Sequence, residues 1–123
     1  MPIQYLVQLK LSSSARPMTA EDGVAFVEQF IFPTLELCKK LQEEKKIAAG
    51  GPVSGAVALA LIVNAESVQE LDDLITSLPV WPRMETEVTP LTTFDARRES
   101  LAHRLEALKA QAREIGALTP GGR

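Results

Sequence analysis

Apolar side chains recur at every second position at the start of the chain. The five that share one side are Ile3, Tyr5, Val7, Leu9 and Leu11. Because successive side chains of an extended strand point to opposite faces, this spacing predicts a strand with one buried face. The serine run at positions 12–14 and Pro17 are turn signals that end the strand.

The next segment has the period of a helix. Thr19 is a predicted N-cap, and Glu21 and Asp22 fall in the first turn, where the helix dipole favours acidic residues. We expect this helix, whose apolar residues form two adjacent stripes, to run to about Lys46. The main stripe is Val24, Val27, Ile31, Leu35, Cys38 and Leu41, and the second is Phe26, Phe30, Pro33 and Leu37. Because a mid-helix proline cannot donate its backbone hydrogen bond, Pro33 predicts either a kink or two abutting helices.

The middle of the chain predicts a hairpin. A short strand at Ile47–Pro52 leads through the turn GGPVSG into a long strand over residues 56–63. One side of the long strand is bulky, with Val57, Leu59, Leu61 and Val63, and the other carries Ala56, Ala58, Ala60 and Ile62. A side that faced water would normally carry Thr, Lys or Glu, so both sides are predicted to be covered.

A second helix and a last strand complete the repeat of elements. Ser67 is predicted to cap a helix that runs to Ser77, and Pro79 excludes helical geometry at the residue before it, so the helix ends at Leu78. A strand at about residues 84–91 follows. The segment between them predicts a rigid elbow that anchors Trp81, with a pocket rim or a subunit contact as the alternatives.

The order of elements predicts the fold. Strand, helix, strand, strand, helix, strand is the split βαβ arrangement, so we expect an α+β, ferredoxin-like βαββαβ fold with an antiparallel sheet and both helices on one face. The alanine-rich side of the long strand lies on the other face. Packing of two such sheets face to face in a homodimer would cover it.

A further helix is predicted from near Asp95. Its apolar seam has spacings of four and three residues and consists of Leu101, Leu105, Leu108, Ala112 and Ile115. This seam is too short for a stable coiled coil alone, so the helix is expected to dock on its own subunit or on a neighbouring one. The predicted organisation is a ferredoxin-like domain at 1–94, an appended helix at 95–116 and a flexible tail at 117–123.

Composition narrows the class of protein. The 123 residues carry a net charge of −3 and no basic stripe with interleaved aromatics, which argues against nucleic-acid binding. The longest apolar run is too short to cross a membrane, the start lacks the apolar core of a signal peptide, and a single cysteine forms no internal disulfide. These features indicate a cytoplasmic protein.

The elbow carries a resemblance to a known family. Its residues Leu78, Pro79, Pro82, Met84, Glu87 and Val88 fit a pattern that resembles the last helix-to-strand connection of muconolactone isomerases. SVQELDDLITSLP and KKLQEE are similar in kind and position, so the resemblance covers residues 3–91. It implies a ferredoxin-like unit that assembles through its sheets into dimers or larger rings. It also implies a proton-shifting isomerase of a small unsaturated lactone acid, without metal or organic cofactor.

The resemblance further implies a carboxylate base in a dry pocket and a cation that holds the substrate's carboxylate. The base is expected on the first long helix. A gapless count back from KKLQ places Thr34 at that position, with Glu36 two residues later.

The residues themselves suggest a second base. If Met84 and its alternate neighbours face the helices, Glu85 and Glu87 project from the open face of the sheet. Each glutamate either lies in solvent at the rim of the sheet, where it could pair with Lys10 on the neighbouring strand, or is an acidic residue of a binding pocket on that face. Glu87 and Glu36 are therefore the candidate bases.

Other polar residues have simpler interpretations. His103 lies four residues after Glu99, the spacing of a solvated helix pair, and Cys38 is predicted to be an inert buried thiol. The sequence contains no set of residues with metal-ligand spacing.

Three hypotheses follow for the function. The first is a cofactor-free isomerase, with Glu87 or Glu36 as base and Lys10 or Arg83 as the anion holder. The second is a catalytically silent relative that binds a small apolar or organic-acid ligand, and the third is a structural homo-oligomer. The residues predicted to line the ligand site are Tyr5, Phe26, Phe30, Ala58, Ala60 and Trp81. An apolar pocket without a carboxylate would favour the second hypothesis, and absence of a pocket the third.

Overall fold

The computed structural model describes residues 2–118 and contains one four-stranded sheet within them. The strands are β1 (Ile3–Leu11), β2 (Ile47–Pro52), β3 (Ala58–Ala65) and β4 (Met84–Leu91), and the helices are α1 (Ala20–Phe26), α2 (Phe32–Glu43), α3 (Val68–Ser77) and α4 (Phe94–Leu118). A π-helical turn, Val27–Ile31, joins α1 to α2. The predicted flexible tail lies outside the described residues from position 119 onward.

The sheet has the order β2-β3-β1-β4, and every neighbouring pair is antiparallel. In β1, Lys10 is opposite Ala58 on one side and Glu85 on the other. This order and the sequence of elements confirm the predicted ferredoxin-like α+β fold.

The core lies between the sheet and the helices. Val7 and Leu9 of β1 and Leu61 and Val63 of β3 are buried on the helix side of the sheet, as the alternation of apolar positions predicts. From the helices and the elbow come Leu41, Leu71, Leu74, Ile75 and Leu78. Burial of these side chains removes apolar surface from water, which is the main favourable contribution to folding.

The first helical segment begins and ends at recognisable caps. The Thr19 hydroxyl accepts a hydrogen bond from the Asp22 N–H at 3.0 Å, which confirms the predicted N-cap. At the other end, the Lys46 N–H donates to the Leu41 carbonyl while Lys45 adopts a left-handed φ of 65°. This geometry is a Schellman motif, so α2 ends at Glu43, three residues before the predicted end.

Pro33 lies in the first turn of α2, so the second of the two predicted alternatives is correct. The Phe32 N–H donates to the Val27 carbonyl, five residues back, and this bond closes the π-helical turn. A regular α-helix would place the proline ring against the carbonyl of the residue four positions earlier, and the wider turn relieves that contact.

The π-helical turn also changes which side chains are buried. Val24, Val27 and Leu35 of the predicted main stripe are 57%, 38% and 37% exposed, whereas Phe26 and Thr34 are buried. One additional residue in a turn rotates the following face by about 100° relative to a continuous α-helix. The main stripe is less buried than predicted at these three positions, although Cys38 and Leu41 at its end pack into the core.

The open face of the sheet carries the alanine-rich row of β3. Ala58, Ala60 and Ile62 are half-buried in the single chain, beside Leu6 of β1. The face is apolar at its centre and has charged residues on β1 and β4. That a partner covers it remains a prediction.

The structure forms two compact units, a first that ends at Leu91 and a second that begins at Thr92. The second unit consists mainly of α4, and the Thr93 hydroxyl caps that helix by accepting a hydrogen bond from the Ala96 N–H. The seam residues Leu101, Leu105, Leu108 and Ile115 are exposed. Between residues 2 and 118, no helix combines the length and hydrophobicity that a membrane crossing requires.

Candidate functional site

A pocket of about 380 Å³ lies between the first helical segment and the sheet, and we call it the helix-side pocket. Its walls come from α1, the π-helical turn and the start of α2 on one side and from β1, β3 and the elbow on the other. They include Phe26, Val27, Ile31, Leu35, Leu11, Leu59 and Met84. Among the described residues that line the pocket, Thr34 is the one with a polar side chain.

The Thr34 hydroxyl is bonded within the protein. It donates a hydrogen bond to the Phe30 carbonyl at 2.6 Å and accepts one from the Val80 N–H at 3.1 Å. Thr34 is 2% exposed and Val80 is 0% exposed, so this pair links the helix to the elbow inside the core. A threonine hydroxyl has one proton to donate, and the Phe30 carbonyl receives it.

The elbow positions Val80 rather than Trp81 in the pocket wall. Leu78 is extended, as Pro79 requires, and the Trp81 N–H donates back to the Leu78 carbonyl. Val80 lines the helix-side pocket, whereas Trp81 is 38% exposed and lines none of the hollows described here. Sequence reasoning missed Val80 because two apolar residues between two prolines are too few to show a periodicity.

A second hollow of about 380 Å³ lies on the open face of the sheet, and we call it the open-face hollow. It brings together four of the predicted site residues, which are Lys10, Ala58, Ala60 and Glu87. Glu85 also lines it, opposite Lys10 in the register, and Gln8 is opposite Glu87. The two glutamates and the lysine are exposed to solvent in the single chain.

Three further predicted residues meet on the outer surface of the first helical segment. The Cζ atom of Arg83 lies 4.5 Å from the centre of the Phe30 ring and 5.8 Å from that of Phe26. The two rings are 6.0 Å apart. Arg16 and Asp22 line the same hollow. The aromatic faces attract the guanidinium group, so they hold Arg83 in place.

The remaining predicted residues lie elsewhere. Tyr5 is buried in the core on the helix side of the sheet, and Glu36 is exposed on α2. Neither lines any of the hollows described above. The predicted site residues thus do not form one site. Four line the open-face hollow, three meet at the outer surface, and Tyr5, Glu36 and Trp81 line neither, while Phe26 and Ala58 also line the helix-side pocket.

Sequence reasoning gave Thr34 no role in a site. The sequence does contain one indication of its position. Thr34 is a polar residue four positions after Phe30 and four before Cys38, so at helical spacing it lies between two apolar side chains. Thr34 is also the position at which the resemblance to the isomerases places an acid.

The other reactive side chains lie outside the helix-side pocket. Cys38 is half-buried on α2, and burial raises the pKa of its thiol above the ordinary value. His103 is exposed on α4. In the described part of the chain, no group of three or more His, Cys, Asp or Glu side chains is placed to hold a metal ion.

Comparisons with known proteins identify relatives of the first unit. A family model described as muconolactone delta-isomerase matches residues 4–97. The crystal structure of muconolactone isomerase is similar with a TM-score of 0.58 and 25% sequence identity, over 73% of this chain and 88% of that one.

A second solved structure, of a glutamate-to-alanine mutant, has a TM-score of 0.43 and 17% identity. The match covers 75% of this chain and 52% of that one, so this chain spans about half of that protein. With a TM-score this low, the match does not bear on function. Among curated protein sequences none matches significantly.

Proposed function

The chain belongs to the muconolactone delta-isomerase family, and from this premise we propose that it binds a small apolar or organic-acid molecule in the helix-side pocket. One observation carries the proposal. The pocket has the volume of a small-ligand site, and its described walls are apolar apart from Thr34, whose proton is bonded to the Phe30 carbonyl.

The same observation argues against proton transfer in this pocket. A general base must lie within hydrogen-bond reach of the proton that it removes. Thr34 stands where the resemblance places the acid, and a threonine hydroxyl is not a base at neutral pH. Glu36 is two residues away, about 200° around the helix, and is exposed.

Ligand binding is testable by filling the pocket. Gly23 lines it, and a Cβ added there meets no atom within 4 Å, so Gly23→Leu adds an apolar side chain at the wall of the pocket without a backbone clash. We expect calorimetry to detect binding of octanol to the unmodified protein and no binding to this variant. Gly116→Leu on α4, another glycine with open space, is the matched control. Absence of binding of both octanol and its carboxylate analogue octanoate to the unmodified protein would refute the proposal and favour a structural role.

A second candidate function is the family's isomerisation, at the open-face hollow. The observation in its favour is that Lys10 and Glu87 line this hollow together. Glu87 would then be the base and Lys10 the anion holder, and a partner would have to exclude water from both. Glu87→Gln should abolish proton exchange on muconolactone, a loss of about 100-fold or more, while Glu36→Gln retains most of it. Proton exchange is measured by NMR in heavy water. If the unmodified protein catalyses no exchange on muconolactone, isomerisation at the open-face hollow is refuted.

We also propose that the protein is a homo-oligomer, a dimer or larger, in which the open face of the sheet is covered. The support is the apolar centre of that face, where Ala58, Ala60 and Ile62 are half-buried in the single chain. Whether α4 docks on its own subunit or on a neighbour, and whether the protein is cytoplasmic, remain predictions.

A further inference from the structure

The helix-side pocket has a charged neighbour at the loop end of the sheet. A hollow of about 690 Å³, which we call the vestibule, lies between the end of β1 and the hairpin turn before β3. It shares Leu11, Pro17, Ala56 and Val57 with the pocket, so these four residues form a common rim. A molecule longer than the pocket would extend across this rim into the vestibule.

The charges of the vestibule have one sign. Of the described residues that line it, the charged ones are Lys10 and Arg16, and both are basic. Two acids that line neighbouring hollows are Glu85, opposite Lys10 on β4, and Asp22, which shares the outer hollow with Arg16 and Arg83. A basic vestibule in a chain of net charge −3 is complementary to a ligand with an anionic end.

The backbone at both cations of the vestibule is restrained. Arg16 precedes Pro17, and it has the extended geometry, φ −65° and ψ 134°, that a following proline favours. Lys10 lies in the regular part of β1, paired on both sides. The two cations therefore project from restrained backbone.

We propose that the ligand is an amphipathic monocarboxylate, with its apolar end in the helix-side pocket and its carboxylate in the vestibule between Lys10 and Arg16. This inference rests on the proposed ligand binding and names the ligand's chemical class. A pocket of about 380 Å³ holds about a dozen non-hydrogen atoms at the roughly 30 Å³ that a water molecule occupies in the liquid. A straight-chain acid of about eight to ten carbons has about this number of non-hydrogen atoms, so we choose such an acid as the probe.

The test compares octanoate with octanol, which share the alkyl chain and differ in charge. Calorimetry at low ionic strength should give a dissociation constant about tenfold lower for octanoate, because a carboxylate gains charge-assisted hydrogen bonds from two cations. The preference should shrink when salt is added, since both cations are exposed. The double variant Lys10→Gln, Arg16→Gln should bind octanoate no better than octanol, and its octanol affinity should be unchanged.

The control removes the same net charge elsewhere. Lys39 and Lys40 are exposed on α2 and line neither hollow, so Lys39→Gln, Lys40→Gln should keep the preference for octanoate. If this control variant loses as much of the preference for octanoate as the vestibule variant does, the preference arises from net charge and the inference is wrong. Octanol binding without a preference for octanoate would also overturn it while the proposed function stands. Binding of neither compound would refute the proposed function itself.

Discussion

The helix-side pocket and the open-face hollow have the same volume, about 380 Å³, and opposite chemistry. Both contact Ala58 and Leu59 of β3, so they adjoin the same strand. The described walls of the pocket contain a single polar side chain, Thr34, whereas the hollow is lined by Lys10, Glu85 and Glu87. The sheet thus separates a volume suited to an apolar ligand from the two glutamates, while Lys10, near the end of β1, lines both the open-face hollow and the vestibule.

Strand alternation explains the separation. Thr86 and Val88 of β4 are paired with Leu9 and Val7 and lie on the helix side, so Glu87 between them lies on the open side. A ligand in the helix-side pocket is on the other side of the backbone from Glu87. Binding in the pocket and catalysis by Glu87 are therefore separate hypotheses, which different substitutions can test.

The largest expected effect concerns the open side. If a second copy covers this face, Ala60→Glu should dissociate the assembly, since a buried charge without a partner costs several kcal/mol. Ala60 is preferable to Ala58, because Lys10 is opposite Ala58 and could neutralise a new carboxylate there. Light scattering measures the mass. The control is Ala20→Glu, at an exposed position in the first turn of α1, and this variant should keep the mass of the assembly. If the unmodified protein is a monomer, the prediction is wrong.

A smaller effect is expected on the helix side, from Thr34→Val. This nearly isosteric change leaves the buried Val80 N–H without its acceptor, so the free energy of unfolding should fall by about 1–3 kcal/mol. Urea denaturation measures it. Thr76→Val is the matched control, since the exposed Thr76 makes the same type of bond to the carbonyl four residues back. Equal losses in the two variants would mean that the link to Val80 contributes little.

A still smaller loss is expected at the outer surface, where Arg83→Met removes the cation from the Phe26 and Phe30 rings. A cation–π contact at an exposed site contributes about 0.5–1 kcal/mol, and methionine keeps much of the apolar contact. The unfolding midpoint should decrease slightly, and Arg104→Met on α4 should leave it unchanged. A stabilised Arg83→Met variant would show that the rings do not favour the cation.

The smallest effect is a rate, that of Cys38 with a thiol reagent. Burial raises the pKa of Cys38, so at pH 8 the folded chain contains less thiolate than the unfolded chain and should react more slowly. The sign for stability follows from the same shift. The contribution of the protonated Cys38 thiol to the free energy of unfolding is fully present below the unfolded-state pKa. It is lost as pH rises through the folded-state pKa. Equal rates in buffer and in denaturant would contradict the prediction.

The fold was predictable because its signals are local. The strands β1 and β4 and the caps at Thr19 and Ser67 each depend on a few neighbouring residues, and the structure has the two strands and the two caps. The buried face of the first helical segment was not predictable in this way. The π-helical turn before Pro33 interrupts the helical period, and Phe26 and Thr34 are buried while Val27 and Leu35 of the predicted stripe stay partly exposed.

The candidate site depends on contacts between distant parts of the chain. Thr34 and Val80 are 46 residues apart, and their hydrogen bond joins the first helical segment to the elbow beside the pocket. The carboxylates Glu87 and Glu36 were chosen from the sequence because proton transfer needs an acid. An apolar pocket has no such chemical signature, since its residues look like ordinary core until the space between them is known.

The hydrogen bonds of Thr34 have a consequence for selectivity. A site built to pair with a hydroxyl or an amide rejects analogues that lack the group, because its own polar atoms are then left unpaired. This pocket has its side-chain proton committed to the Phe30 carbonyl, so a missing group on the ligand costs it nothing. Each methylene that fits contributes about 1–3 kcal/mol, and one beyond the end of the pocket contributes none. The pocket should therefore select the apolar part of a ligand by its length, and the choice between a charged and a neutral end group is left to the vestibule.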